Sequence, residues 1–208
     1  MAMNQTSEPQ LDAPGAGLPP IELFVGRILF SLRCAVTSRE RASAYFQRER
    51  EAIRALVAGC DPEAGAERVL IPRGRGMEDS SRYWSVWMTL DHLRIVNESM
   101  AGVIRALTNG VMPEGKASTA TVKPSPTASA EVITGYELAC DAVLTSAAEA
   151  RDLRTPLRYA HPWFGPLDAA GWHTLAGGHM GIHRRLIEQI LVGLDTVRRG
   201  GALQQSAG

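Results

Sequence analysis

The segment from residue 80 to 108 constrains the fold more than any other part of the chain. It predicts a single helix ending at Asn109-Gly110. Its apolar residues, among them Trp84, Trp87, Met88, Leu90, Leu93, Val96, Met100, Val103 and Leu107, cover a wide arc rather than a narrow stripe. A helix with that much apolar surface persists in water only when other elements surround it. The segment therefore demands a bundle in which it occupies the centre.

Three further regions supply the partners. Pro19 and Pro20 stand where a first helical turn begins, and a helical region is expected over 21–58. Phe24, Ile28, Leu32 and Val36 recur every four residues in its first half, and Thr37 with Glu40 forms a capping box at which the helix breaks and restarts. Phe46, Ile53, Leu56 and Val57 mark the second half, Arg48 to Glu51 read as a solvated face, and Gly59 is a stop. Another helix is expected over 126–151, with Ser125 as N-cap, Pro126 in the first position, and Ile133, Tyr136, Cys140, Val143 and Ala147 pointing inward. The last spans 169–198, capped by Asp168 and ended by Gly200-Gly201. Residues 59–79, 110–125 and 152–167 read as loops, and no strand pattern or repeat stands out. The run Pro72-Arg-Gly-Arg-Gly76 has no interleaved aromatic, so it reads as a flexible surface loop rather than an RNA contact. The expected fold class is all-α, an antiparallel four-helix bundle over 19–200, between a disordered N-terminal tail at 1–18 and a flexible C-terminal tail at 201–208.

Charge narrows the partners. Lysines plus arginines equal aspartates plus glutamates at 22 each, which argues against nucleic acid and against docking on anionic membranes. The apolar run from Ile21 to Val36 is broken by Glu22, Arg27 and Arg33, so it reads as neither a signal peptide nor a membrane span. The expected location is cytoplasmic. Cys34, Cys60 and Cys140 are odd in number and form no CxxC pair, and are expected as reduced thiols.

The chemistry is expected at histidine. His179 and His183 are four residues apart, which places both imidazoles on one helix face, one turn apart. That face also carries Leu186, Ile187 and Ile190, so it points inward. An HxxxH pair alone is more often two hydrogen-bonded core histidines than a metal site. His92, midway along the most apolar helix, adds a third imidazole to the same interior. Three buried rings without a shared partner are costly, and a divalent cation resolves that cost, because neutral imidazole is a good ligand for zinc, nickel, iron and copper. Three protein ligands leave a coordination position open, the pattern of reactive sites. Trp84, Ser85, Trp87, Met88 and Trp172 are candidate pocket walls, although each aromatic is also explained by core packing. His161, in a proline-rich loop, reads as a turn or surface group, and His173 lies off the face of His179. Asp91 reads as an interhelical or exposed carboxylate. No nucleophile triad, phosphate loop or dinucleotide fingerprint is present.

The run Trp84-Ser-Val-Trp-Met-Thr-Leu-Asp-His92-Leu93 resembles the second-helix signature of the DinB-like superfamily, and His161-Pro-Trp-Phe-Gly-Pro-Leu-Asp-Ala-Ala-Gly-Trp172 with His179 and His183 resembles its last-helix region. The resemblance implies an up-down-down-up bundle and a metal, zinc or nickel first and iron or manganese next, on His92, His179 and His183. It further implies homodimers and, in some members, thiol-dependent S-transfer. The function expected on these grounds is a metal-dependent enzyme acting on a small electrophile, with a low-molecular-weight thiol or water as the attacking group. The competing expectation is a non-catalytic metal- or ligand-binding bundle.

Overall fold

The computed structural model describes residues 8–205. Five α-helices carry the described residues: α1 (Pro20–Val36), α2 (Arg39–Ala58), α3 (Val86–Thr108), α4 (Val132–Glu149) and α5 (Ala169–Gln205). Two short antiparallel pairs decorate them, β1 (Val69–Leu70) with β2 (Tyr83–Trp84), and β3 (Tyr159–His161) with β4 (Gly165–Leu167). α3 is the centre, as its wide apolar arc demands: it packs on both α4 and α5, and fifteen of its 23 residues are buried. α2 closes the far side of α5.

The region expected as one interrupted helix divides as predicted, but one residue later. Ser38 is the N-cap of α2 and accepts from the Arg41 amide at 3.3 Å, while the Thr37 hydroxyl turns back to the Arg33 carbonyl. The two halves then differ sharply. α2 buries Phe46, Ile53 and Val57, whereas α1 buries no residue at all.

The solvated face assigned to Arg48–Glu51 is half wrong. Glu49 and Arg50 are both buried and tie α2 to two different neighbours. Arg50 binds Glu137 and Asp141 of α4, and Glu49 receives Arg184 of α5 at 2.6 Å. Each charge finds a partner because a residue pair on adjacent helix faces can address both flanking helices. Such pairs are costly to break once buried.

Other boundaries move for local reasons. α3 begins at Val86 because Tyr83 and Trp84 pair with β1, and Ser85 becomes the cap, accepting from the Met88 amide at 3.1 Å. α4 begins at Val132, not at Pro126. The Ser125 amide is taken by Asp91 Oδ2 at 2.8 Å, and its hydroxyl accepts from Thr127, which makes a turn in place of a helical start. Asp168 caps α5 as expected, accepting from the Gly171 amide at 2.8 Å. Gly200 and Gly201 do not end that helix: its last residue is Gln205, since glycine weakens a helix without forcing it to stop.

Of the expected N-terminal tail, residues 1–7 lie outside the described residues, as do 206–208 of the C-terminal one. The rest of the N-terminal stretch is fastened down. The Asp12 and Gly15 amides bind the carboxylates of Asp79 and Glu78, and Glu8 pairs with Arg68. The Pro72–Gly76 run is likewise not loose. Arg73 and the Gly76 amide both hold Glu22 of α1 at 2.5 Å. All three cysteines are free thiols; Cys140 is buried, and desolvation pushes its thiol up to about 12. Among the described residues no helix is long and apolar enough to cross a membrane.

Candidate metal centre and its cavity

α3 and α5 bring His92, His179 and His183 together in the bundle interior. Ring centroids stand 4.4 Å apart for His179 and His183, 4.6 Å for His92 and His183, and 5.1 Å for His92 and His179. One nitrogen of each ring lies within 4.8 Å of the other two, an arrangement that could hold a metal ion. His92 Nε2 and His179 Nε2 are 3.2 Å apart, close to the separation of about 3.3 Å set by two nitrogens each ~2 Å from one tetrahedral ion.

The surroundings fix what these rings can do. His92 Nδ1 lies 2.6 Å from the Val122 carbonyl, a contact that requires a proton on Nδ1 and so leaves the lone pair on Nε2, toward the other histidines. His179 Nδ1 and His183 Nδ1 are buried without a hydrogen-bond partner. Burial lowers the pKa of all three, His92 from 6.5 to about 4, so the rings are neutral and their lone pairs available at physiological pH. Lys123 and the neighbouring imidazoles push in the same direction.

The histidines open on a cavity of about 750 Å³. Its wall comes from α1, α3, α5, the β3–β4 hairpin and the stretches around 75–81 and 113–123. That volume falls within the range of small-molecule sites, which runs roughly from 300 to 1,000 Å³.

The expected pocket walls divide. Trp172 lines the cavity and donates its indole N–H to the Tyr159 carbonyl. Trp84 packs against the outer side of the cluster, its ring 5.0 Å from His92 and stacked on His183 at 6.0 Å. Ser85 is used as a cap, and Met88 is buried one turn before His92, away from the cavity wall. Trp87 points elsewhere: its indole donates to the Pro62 carbonyl and its ring fills the space above Gly65. The reason is helical. Trp87 lies five residues before His92, which is a different face of α3.

His161 is the residue that sequence reasoning undervalued. Gly165, with φ of 71°, closes a tight β3–β4 turn and delivers His161 to the cavity wall, stacked on Phe164 and edge-on to Trp172. Its Nδ1 accepts from the Trp163 amide, and burial lowers its pKa to about 4. The signal was the glycine three residues after Pro162. His173 faces α2, where Nε2 meets the Ser43 hydroxyl, and takes no part in the cluster.

A bundle whose central and last helices converge three histidines on a cavity defines a class of helical proteins with a potential metal-binding interior. The DinB superfamily model matches residues 45–187, and the chain belongs to that superfamily. The match contains all three histidines and excludes α1. The crystal structure of TT2238, a four-helix bundle protein, is similar at 24% identity and a TM-score of 0.52, covering 73% of this chain and 98% of that one, which supports the fold. No curated protein matches the chain.

Proposed function

We propose that the chain is a metal-dependent enzyme in which His92, His179 and His183 hold one divalent ion beside a small-molecule substrate. The observation that carries the reading is the convergence of three neutral imidazoles, two buried and one half-buried, on one cavity. Burying three imidazoles together is costly, and a cation that draws their Nε2 lone pairs together offsets part of that cost. Zinc or nickel suits the all-nitrogen donor set first, and iron or manganese follows.

When bound, such an ion acidifies water or a thiol and polarises an electrophile. The chain's own residues do the rest. The Val122 carbonyl orients His92. α1 and the β3–β4 hairpin wall the cavity, and Trp172 and His161 border the space where a substrate lies. The reaction classes that fit are transfer to a low-molecular-weight thiol and hydrolysis. The cavity beside the cluster favours this over a non-catalytic bundle, whose coordination shell has no reason to face an empty space. The four helices α2–α5 are proposed to run up-down-down-up, with α1 appended.

A homodimer is proposed through the outward face of α1, where Phe24, Leu32 and Val36 are 64%, 60% and 71% exposed. With no net charge, the chain has no general affinity for nucleic acid or anionic membrane, and the cytoplasm is the proposed location.

The test is metal content of untagged protein, in the wild type and in His179→Ala. About one divalent ion per chain, lost in the variant, is expected from a three-ligand site. Protein that neither retains nor takes up zinc or nickel overturns the proposal. Light scattering of Leu32→Glu checks the dimer: the variant is expected as a monomer.

A further inference from the structure

The helices that surround the cavity carry glycines of two kinds. Gly177, Gly181 and Gly193 sit where another side chain presses in: a Cβ at any of them would meet Tyr45 or Val69 within 2.7 Å. Close packing accounts for these. Gly26 of α1, Gly102 of α3 and Gly178 of α5 are different. Each lines the cavity, and a Cβ at each would meet nothing within 4 Å. A mid-helix glycine costs about 1 kcal/mol against alanine. Three helices carry that cost at one place, where no packing calls for it. The result is room.

The lining of that room has a clear character. Leu23 and Phe30 of α1, Val96 and Met100 of α3, and Leu175 and Ile182 of α5 make its sides apolar. Its charges are unbalanced, although the whole chain is neutral. Of the lining carboxylates, Glu22 is held by Arg73 and the Gly76 amide, and Glu78 by Lys123 and the Gly15 amide. Arg75, Lys116 and Arg185 also line it, are exposed, and form no ion pair among the described residues, leaving Glu114 as the only lining acid without a partner there. An apolar chamber with a cationic rim selects for a molecule with the opposite pattern.

We infer that the cavity binds an elongated amphiphile: an apolar body lies along Gly26, Gly102 and Gly178, and an acidic group meets Arg75, Lys116 and Arg185. The assignment rests on the proposed function only in taking the cavity as the substrate chamber, and it deepens that reading by naming the ligand class. It also accounts for α1, which buries no residue because the material its inner face covers is the ligand.

The experiment compares decanoate, decanol and decylammonium by calorimetry and tryptophan fluorescence, on full-length protein as purified and after chelation. Decanoate is expected to bind tightest, and with metal removed it still binds. Substituting Arg75, Lys116 and Arg185 together by glutamine is expected to weaken decanoate on the order of tenfold, a few exposed charge contacts' worth, and to leave decanol unchanged. Gly26→Phe and Gly102→Leu fill the chamber. Each is expected to raise the melting temperature while abolishing binding, a pair of effects that misfolding cannot produce. Equal affinity for all three amphiphiles overturns the rim assignment. No decanoate binding, or undiminished binding in both filled variants, overturns the chamber assignment. Because the readout does not need the metal, its failure is distinct from failure of the metal centre, which metal content alone decides.

Discussion

α1 and α3 are both apolar helices, and they end in opposite states. α3 buries residues along its whole length, including Leu90, Leu93 and Ile104 at 0% exposure. α1 carries Ile21, Phe24, Val25, Ile28, Leu29, Leu32 and Val36 at 46% exposure or more. Apart from Phe30, whose ring stands 4.4 Å from that of Phe164, its fixtures are polar: Glu22 to Arg73, the Arg27 guanidinium to the Trp163 carbonyl, Arg154 to the Cys34 carbonyl, and Arg33 over the Tyr45 ring. Apolar periodicity states that a helix has something to cover. It does not state whether that is the chain's own core, a bound molecule or another copy.

The sharpest way to break the comparison is truncation on α3. Leu93→Ala is expected to cost about 3–4 kcal/mol in urea unfolding, the cost of a cavity in a close-packed core. Arg50→Ala is expected to cost about 2 kcal/mol, because its charge-assisted bonds to Glu137 and Asp141 are lost while Glu137 keeps Arg54. Substitution of Arg50 by methionine is expected to recover part of that, as apolar volume replaces the charge.

Acid separates the two regions as well. In metal-free protein His92 has a folded pKa of about 4 against the usual 6.5. Below pH 6.5 the unfolded chain takes up a proton that the folded one refuses, so stability falls as pH drops from about 6.5 toward 4. The loss from His92 is on the order of 3 kcal/mol. Urea titrations at a series of pH values check it, and bound metal is expected to oppose it.

Ser38→Ala, at the junction of α1 and α2, is expected to cost about 1 kcal/mol as a lost cap. The smallest effect closes the series. Leu32→Ala on α1 is expected to change monomer stability by less than about 0.5 kcal/mol.

The sequence exposed those features that depend on near neighbours in the chain. The HxxxH spacing put His179 and His183 on one face, and the wide arc of α3 placed His92 inside. The Asp168 cap was equally local. Contacts across many residues were hidden. Glu49 and Arg50 looked solvated because Glu137, Asp141 and Arg184 stand far away in sequence. Ser125 looked like a helix cap because nothing local shows that Asp91 claims its amide. The cavity itself had no signature beyond glycines, which also fit close packing.

Asp91 and His92 are consecutive residues, yet both grip the stretch that follows α3. One accepts the Ser125 N–H and the other donates to the Val122 C=O. Together they measure a fixed span of backbone, as two fingers hold a ruler. Length changes between 122 and 125 would therefore rotate or release a histidine of the cluster. The Gly110–Gly115 stretch lies ahead of that span, with exposed Val111 and Met112 and positive φ at both glycines. A reporter peptide grafted there should leave the histidine geometry intact, whereas the same graft a dozen residues later should dismantle it.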